Sequence, residues 1–184
     1  MTRASALVFA TAGWLAATTA ALAGAGDYPL VQALEARVTL GDTSITSKVT
    51  VSVDRLMEEN RLKRVTDALK HGGYPNFFTA LRMLPPIGWV EVNKRRVELR
   101  YAREDQRPSG RRLILVADKP MFFLGDPAKA KPGFELTVIE LNIDAKGAIT
   151  GSMAGAARVK PSPEGDVILE DYAEALVTLS SSPR

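Results

Sequence analysis

Apolar and polar residues alternate in the first regular part of the chain, which predicts strands. Residues 34–40 alternate strictly between apolar and polar side chains, the pattern of a strand with one face in water. Gly41-Asp42 then supplies a turn, and residues 45–53 are rich in Thr, Ser and Val. Such residues favour strands, and a short turn pairs them antiparallel. The sequence therefore predicts a β-hairpin here.

A helical period replaces the alternation after residue 53. Asp54 stands where a helix N-cap is expected, and apolar residues recur every three to four positions over 62–69. His71-Gly72-Gly73 permits the left-handed geometry that ends a helix. A second, shorter helix is stopped by Pro85-Pro86, because proline cannot donate a backbone hydrogen bond. We expect a two-helix insertion at about 54–84.

Alternation returns beyond the prolines and continues almost to the end of the chain. Short turns such as Asn93-Lys94 separate the segments, as in antiparallel sheets. The fold class is therefore mainly β (α+β): an antiparallel meander of about eight strands forming a barrel or strongly curled sheet, with the helices covering or plugging one end. The predicted later strands are residues 88–92, 97–103, a stretch 111–124 that is broken at Asp118-Lys119-Pro120, 133–143, 148–160, 167–172 and 175–179.

The first residues have the pattern of a secretory signal peptide. Arg3 precedes an apolar run that reaches Ala21-Leu22-Ala23, with small residues at the −3 and −1 positions of a cleavage site. We predict cleavage after Ala23, with Ala25 as the alternative, so that 1–23 is a signal peptide and 24–184 a single domain. No integral membrane segment is expected after cleavage. The chain has no cysteine, which favours a bacterial periplasmic or secreted protein over a disulfide-rich eukaryotic one.

The composition excludes several classes of chemistry. A formal net charge of +3 and the lack of a nucleic-acid motif give no reason to expect a nucleic-acid partner. One histidine, His71, and no cysteine are too few ligands for the usual zinc or iron sites. We expect no metal, no cofactor and no catalytic residue of the serine–histidine type, since His71 is better explained as a helix-end residue.

The first functional hypothesis is a non-enzymatic binder of a small apolar or amphipathic ligand inside the barrel. Aromatic side chains would line the cavity. Glu140 shares one face of its strand with apolar residues and is expected either to enter the interior or to pair with Arg100 or another cation across the sheet. The predicted ligand-binding residues are Trp89, Tyr101, Phe122, Phe134, Glu140 and Arg100.

Two other hypotheses stay open. A dense run of basic residues would form a surface that binds an anionic glycan, lipid or protein in the envelope or outside the cell, or would only protect strand edges from aggregation. The third hypothesis is a hydrolase or isomerase that uses a carboxylate such as Glu140 or Asp118 within the barrel. The predicted basic face consists of Arg95, Arg96, Arg103, Arg111 and Arg112.

Asp118 follows an apolar strand, as a catalytic aspartate does in parallel α/β folds. In those folds a loop and a helix come next, whereas here Pro120 and the apolar residues 121–124 follow. We therefore interpret Asp118 as a break or edge bulge in the sheet, with its carboxylate accepting hydrogen bonds from turn amides.

Several short motifs are spread over the predicted sheet. They are Pro86-Ile87-Gly88, Leu99-Arg100-Tyr101, Gly110-Arg111-Arg112-Leu113-Ile114-Leu115, Asp118-Lys119-Pro120, Ile139-Glu140-Leu141 and the hairpin at Gly151. Together they resemble a family of small exported bacterial proteins of unknown function. The resemblance covers roughly Val49 to Leu179 and implies export and a single domain; it carries over no functional residue. The likeness to lipocalin-like barrels concerns architecture alone.

Overall fold

The structure is a computed structural model that describes residues 28–123, 131–173 and 176–181. The predicted signal peptide, 1–23, lies outside these residues. The described chain forms nine strands and one helix. In chain order they are β1 Leu30–Leu40, β2 Thr43–Val53, α1 Glu59–Arg82, β3 Gly88–Val92, β4 Arg95–Arg107, β5 Gly110–Ala117, β6 Leu136–Asp144, β7 Ile149–Pro161, β8 Val167–Tyr172 and β9 Val177–Ser181.

The sheet is antiparallel and closes into a barrel. Strands β1 to β7 pair in succession, with α1 inserted between β2 and β3, and β9 closes the ring by pairing with both β7 and β1. Eight strands thus form the barrel, and β8 is an additional strand on the far half of β7. The predicted mainly β barrel with a helical insertion after the second strand is confirmed. The open curled sheet, which the sequence left as an alternative, is not adopted.

Side chains of alternate residues fill the barrel interior. Leu34, Ala36 and Val38 of β1 point inwards, as their alternation predicted. The corresponding residues of the other strands join them in one buried cluster. Because an eight-stranded barrel is only just wide enough for side chains, this cluster forms a packed core. It also contains Val49, Val51, Val53, Val90, Leu99, Leu115, Ile139, Leu141, Met153, Val177 and Leu179.

The chain after β5 closes one end of the barrel. Met121 and Phe123 insert into the interior cluster, and the Met121 amide donates a 2.7 Å hydrogen bond to the carbonyl oxygen of Gly155. A side chain at Gly155 would overlap the Met121 carbonyl group, so glycine is needed for this close approach. The Thr137 hydroxyl also donates to the carbonyl oxygen of Lys119 at 2.9 Å.

The helical insertion differs from the prediction in three ways. The chain forms one helix, α1, and not two, although Gly73 within it is non-helical with φ 65°. The helix begins at Glu59 with Glu58 at the N-cap position, so Asp54 does not cap it. It packs on the outer wall of the barrel, not over an end: Val65, Leu69 and Phe77 belong to a second buried cluster outside the barrel.

That second cluster explains why the outer face of several strands is apolar. Ile114 and Val116 of β5, with Leu136 and Val138 of β6, point outwards and are covered. The covering elements are α1 and the hairpin of β7 and β8, which contributes Val159 and Val167 among others. A strand that is covered on both faces has a continuous run of apolar residues. This accounts for the near absence of apolar–polar alternation in β5.

A β-bulge in β4 connects the two clusters. Leu99 pairs with Ala117 and Tyr101 pairs with Val116, so Arg100 is the extra residue. Leu99 points into the barrel, and Tyr101 belongs to the outer cluster beneath α1. Without the bulge, residues two apart would share a face. The bulge at Arg100 therefore reverses which residues of β4 face the interior.

Candidate functional site

The four aromatic residues predicted to line a ligand cavity do not converge. Tyr101 lies outside the barrel with its ring centroid 6.4 Å from that of Phe77. Burial raises the pKa of its phenol well above the ordinary value. Trp89 is half-buried, with the Arg96 guanidinium 3.7 Å from its ring centroid. Phe122 is buried near one end of the barrel, and Phe134 is half-buried just before β6.

Glu140 points outwards and pairs with a cation on the neighbouring strand, as one alternative predicted; the cation is Arg112 and not Arg100. Its two carboxylate oxygens accept hydrogen bonds of 2.7 and 2.6 Å from Arg112. These hydrogen bonds raise the pKa of the Arg112 guanidinium. Ser152, directly opposite Glu140 on β7, shares a crevice of only about 40 Å³ with this pair. Both carboxylate oxygens are thus occupied by the guanidinium of Arg112, which does not favour contact with a substrate.

Asp118 forms a buried ion pair with Arg100, so Arg100 pairs with Asp118 and not with Glu140. The Arg100 Nε lies 3.0 Å from Asp118 Oδ2, and the two side chains are 18% and 7% exposed. The break predicted at Asp118 is confirmed, because β5 ends at Ala117, whereas the bulge lies in β4 at Arg100. The carboxylate pairs with Arg100, and among the described residues no hydrogen bond joins it to a turn amide. Arg100 also donates a hydrogen bond to the carbonyl oxygen of Leu84, and this contact attaches the end of α1 to the barrel.

The predicted basic residues lie on different faces and have partners. Arg111 pairs with Glu104 at 3.0 Å, whereas its neighbour Arg112 points to the opposite face of β5. Arg103 pairs with Asp105 at 2.9 Å and also contacts Asp166. Arg96 pairs with Glu91 at 3.1 Å, and Arg95 donates to the carbonyl oxygen of Phe122 at 3.3 Å. The positive charge of this stretch is thus divided and largely neutralised.

A groove beside α1 has the shape and chemistry of a small-molecule site. Its volume is about 400 Å³, within the range of ligand pockets. Val65 and Ala80 both line it, although a straight helix would place residues so far apart in sequence about 22 Å from each other. The halves of α1 on either side of Gly73 therefore fold back against one another. The lining consists of Arg61, Arg64, Val65, Ala80, Met83, Leu84 and Pro85.

The groove combines an apolar floor with cationic walls. Met83 is 80% exposed although it is apolar, which is unusual for a large side chain with no partner. Arg61 shares its charge with Glu58, whose Oε2 lies 3.3 Å from its Nε. Arg64 makes no hydrogen bond or ion pair with any described residue. The guanidinium of Arg64 is therefore available to pair with an anion in the groove.

Two other depressions fit a ligand less well. One, of about 490 Å³ between α1 and β4, includes charged residues that already pair internally, such as Arg103 with Asp105. The other, of about 520 Å³, lies over the paired strands β1 and β2 and is more open to solvent than the groove beside α1. We therefore take the groove beside α1 as the candidate site.

The chain matches no family model, no curated protein and no solved structure. Within the described ranges, no helix is long and apolar enough to cross a membrane. Those same residues contain no group of three or more histidine, aspartate or glutamate side chains placed to hold a metal ion.

The sequence contains a signal for the groove, but only in part. Arg61 and Arg64 lie three positions apart, so they share one side of a helix. The apolar residues Met83 and Leu84, followed by Pro85, end the helical segment. No pattern in the sequence shows that these two segments meet, because their contact depends on the angle that the chain takes at Gly73.

Proposed function

We propose that this protein is a non-enzymatic binder of a small amphipathic molecule that carries a negative charge, held in the groove beside α1. The supporting observation is one groove of about 400 Å³ that combines an apolar floor with the guanidinium of Arg64, which has no partner among the described residues. An apolar pocket with a few placed charges is the usual construction of a small-molecule site. Export from the cytoplasm is part of the proposal and is supported by the leader pattern of residues 1–23.

The proposal keeps the ligand class expected from the sequence but changes the site. In the described chain, side chains fill the barrel interior. Because such a core has no space for a ligand, the proposed site lies on the outer wall. An anion-binding basic face has less support, because Arg103, Arg111 and Arg112 are already paired. A hydrolase built on Glu140 has less support because Arg112 occupies both of its oxygens.

Dodecanoate is a suitable probe, and its binding can be measured by isothermal titration calorimetry. Ala80→Phe places a ring in the groove and is expected to weaken the affinity at least about tenfold, a loss of about 1.4 kcal/mol. Thr79→Phe is the matched control, because Thr79 is exposed and does not line the groove. We expect that variant to bind within about twofold of the original chain. No binding by the original chain, or equal loss in both variants, would refute the proposal.

A further inference from the structure

A narrow cleft continues the groove at the start of α1 and is lined by three arginines. Its free volume is about 10 Å³, about enough for one water molecule. Arg55, Arg61 and Arg100 all line it. The backbone around it is fixed, since the Asp54 amide donates to the carbonyl oxygen of Ile87 at 2.9 Å and the Met57 amide donates to that of Ala102 at 3.1 Å.

The charges around the cleft do not balance. Arg100 is paired with Asp118, and Arg61 is paired with Glu58. Arg55 forms no hydrogen bond or ion pair with any described residue, so its positive charge is uncompensated there. A guanidinium presents several N–H groups in one plane and binds carboxylates through two parallel hydrogen bonds. The cleft is thus suited to a compact oxyanion.

The cleft and the groove form one continuous surface. Arg61, Leu84 and Pro85 line both. A head group in the cleft would therefore place the attached chain over Val65 and Ala80 on the groove floor. The cleft also borders the depression between α1 and β4 through Leu56 and Met57. Because charged residues line much of that depression, the groove is the apolar route from the cleft, which suits a ligand with a single chain.

We infer that the ligand is a single-chain molecule with a carboxylate head group, which Arg55 and Arg61 hold in the cleft while the chain lies in the groove. This inference rests on the proposed function and adds the class of ligand and its direction. The cleft has room for about one water-sized atom, so a planar carboxylate can place one oxygen in it and rest at its mouth, whereas the bulkier tetrahedral phosphate fits less closely. Arg55 becomes the residue that sets head-group preference, whereas the groove sets the affinity for the chain.

The test compares dodecanoate, dodecanol and dodecyl phosphate on the full chain by calorimetric titration. The original chain is expected to bind dodecanoate about tenfold more tightly than dodecanol. Arg55→Gln should reduce this preference at least about threefold and leave dodecanol binding unchanged, because the groove and its Arg64 are intact. Lys70→Gln removes the same charge from an exposed position of α1 outside the groove and should keep the full preference. Circular dichroism checks that each variant is folded.

Different results separate this inference from the proposed function. The inference is wrong if Arg55→Gln keeps the preference for dodecanoate, if the original chain has no preference, or if dodecyl phosphate binds more tightly than dodecanoate. In each of those cases binding in the groove itself would stand. If the original chain binds none of the three molecules, the proposed function fails and the inference fails with it.

Discussion

Asp118→Asn tests whether the buried ion pair at the bulge stabilises the fold. Arg100 has two carboxylate partners at nearly equal distances: Asp118 at 3.0 Å and Glu98 at 3.1 Å. The two partners differ in burial, because the side chain of Asp118 is 7% exposed and that of Glu98 is 56% exposed. The buried ion pair of Arg100 with Asp118 can thus be tested against the exposed ion pair of the same guanidinium with Glu98, which serves as the control.

The difference in burial sets the expected magnitude. Breaking a fully buried ion pair costs about 3–5 kcal/mol, because the remaining charge loses its partner. Arg100 is 18% exposed and keeps its contacts with Leu84 and Glu98, and asparagine can still accept a hydrogen bond. We therefore expect Asp118→Asn to lower the free energy of unfolding by about 2 kcal/mol. Glu98→Gln should lower it by less than about 0.5 kcal/mol, since exposed pairs contribute little.

Urea unfolding followed by circular dichroism measures both values. A third variant, Arg100→Met, leaves Asp118 buried without its cation, so it should be more destabilising than Asp118→Asn. In the Arg100→Met background, Asp118→Asn should be neutral or stabilising, because it then removes an unpaired buried charge. Equal losses for Asp118→Asn and Glu98→Gln, or the same loss with and without Arg100, would refute the assignment of stability to this pair.

Two further predictions follow from contacts elsewhere in the barrel. Gly155→Ala forces the backbone of Met121 away from β7 and should lower the free energy of unfolding by about 2–3 kcal/mol. Ser152→Ala on the same strand should change it little. Urea titration measures both free energies of unfolding, and equal decreases for the two variants would contradict the explanation by close approach. Burial opposes ionisation of Glu135, but the 2.5 Å hydrogen bond from Tyr74 and two backbone N–H groups outweigh it, so its pKa is lowered. A carboxyl group whose pKa is lowered in the folded state stabilises the fold above its unfolded pKa, and this stabilisation is lost as the pH falls through the folded pKa. Tyr74→Phe should therefore lower the free energy of unfolding by about 1 kcal/mol at pH 7 and by less at pH 3. An equal or larger decrease at pH 3 would contradict this linkage.

The strands could be predicted from the sequence because the alternation of apolar and polar residues follows directly from the burial of one face of each strand. Residues 34–40 have one face in the core and one in water, so the order of side chains specifies both the strand and its inward face. The hairpin turns could also be predicted. Asn93 and Lys94 both adopt positive φ, 51° and 64°, as the tight connections of β-hairpins require.

The positions of outward-facing residues could not be predicted, because they depend on what covers the barrel. Leu136, Val138 and Glu140 share one face, and the apolar pair suggested an inward direction for Glu140. In the structure the apolar pair is buried under other elements outside the barrel, and Glu140 shares that outer face. A second apolar layer thus gives the outer face of a strand the same sequence pattern as its inner face.

The helix could be predicted locally but not placed. Gly73 ended the first predicted helix, whereas in the structure α1 continues past it, with Gly73 as a single non-helical residue of positive φ. The angle between the two halves depends on tertiary contacts such as the hydrogen bond from Arg100 to Leu84. The helix propensities of individual residues do not depend on such contacts and cannot predict them. The candidate groove was missed for the same reason.

The bulge at Arg100 also determines where β4 can change in length. Deleting Arg100 would remove the bulge yet leave Leu99 facing inwards and Tyr101 facing outwards, because adjacent residues of a regular strand face opposite sides. Deleting Arg103 would instead exchange the faces of the residues that follow it, and the carboxylate of Glu104 would leave its partners Tyr28 and Arg111. A deletion in the exposed Pro108-Ser109 turn would spare that alternation. Homologous chains, or designed ones, should therefore vary in length at the turns, and a chain without the bulge residue should also lack the buried carboxylate at position 118.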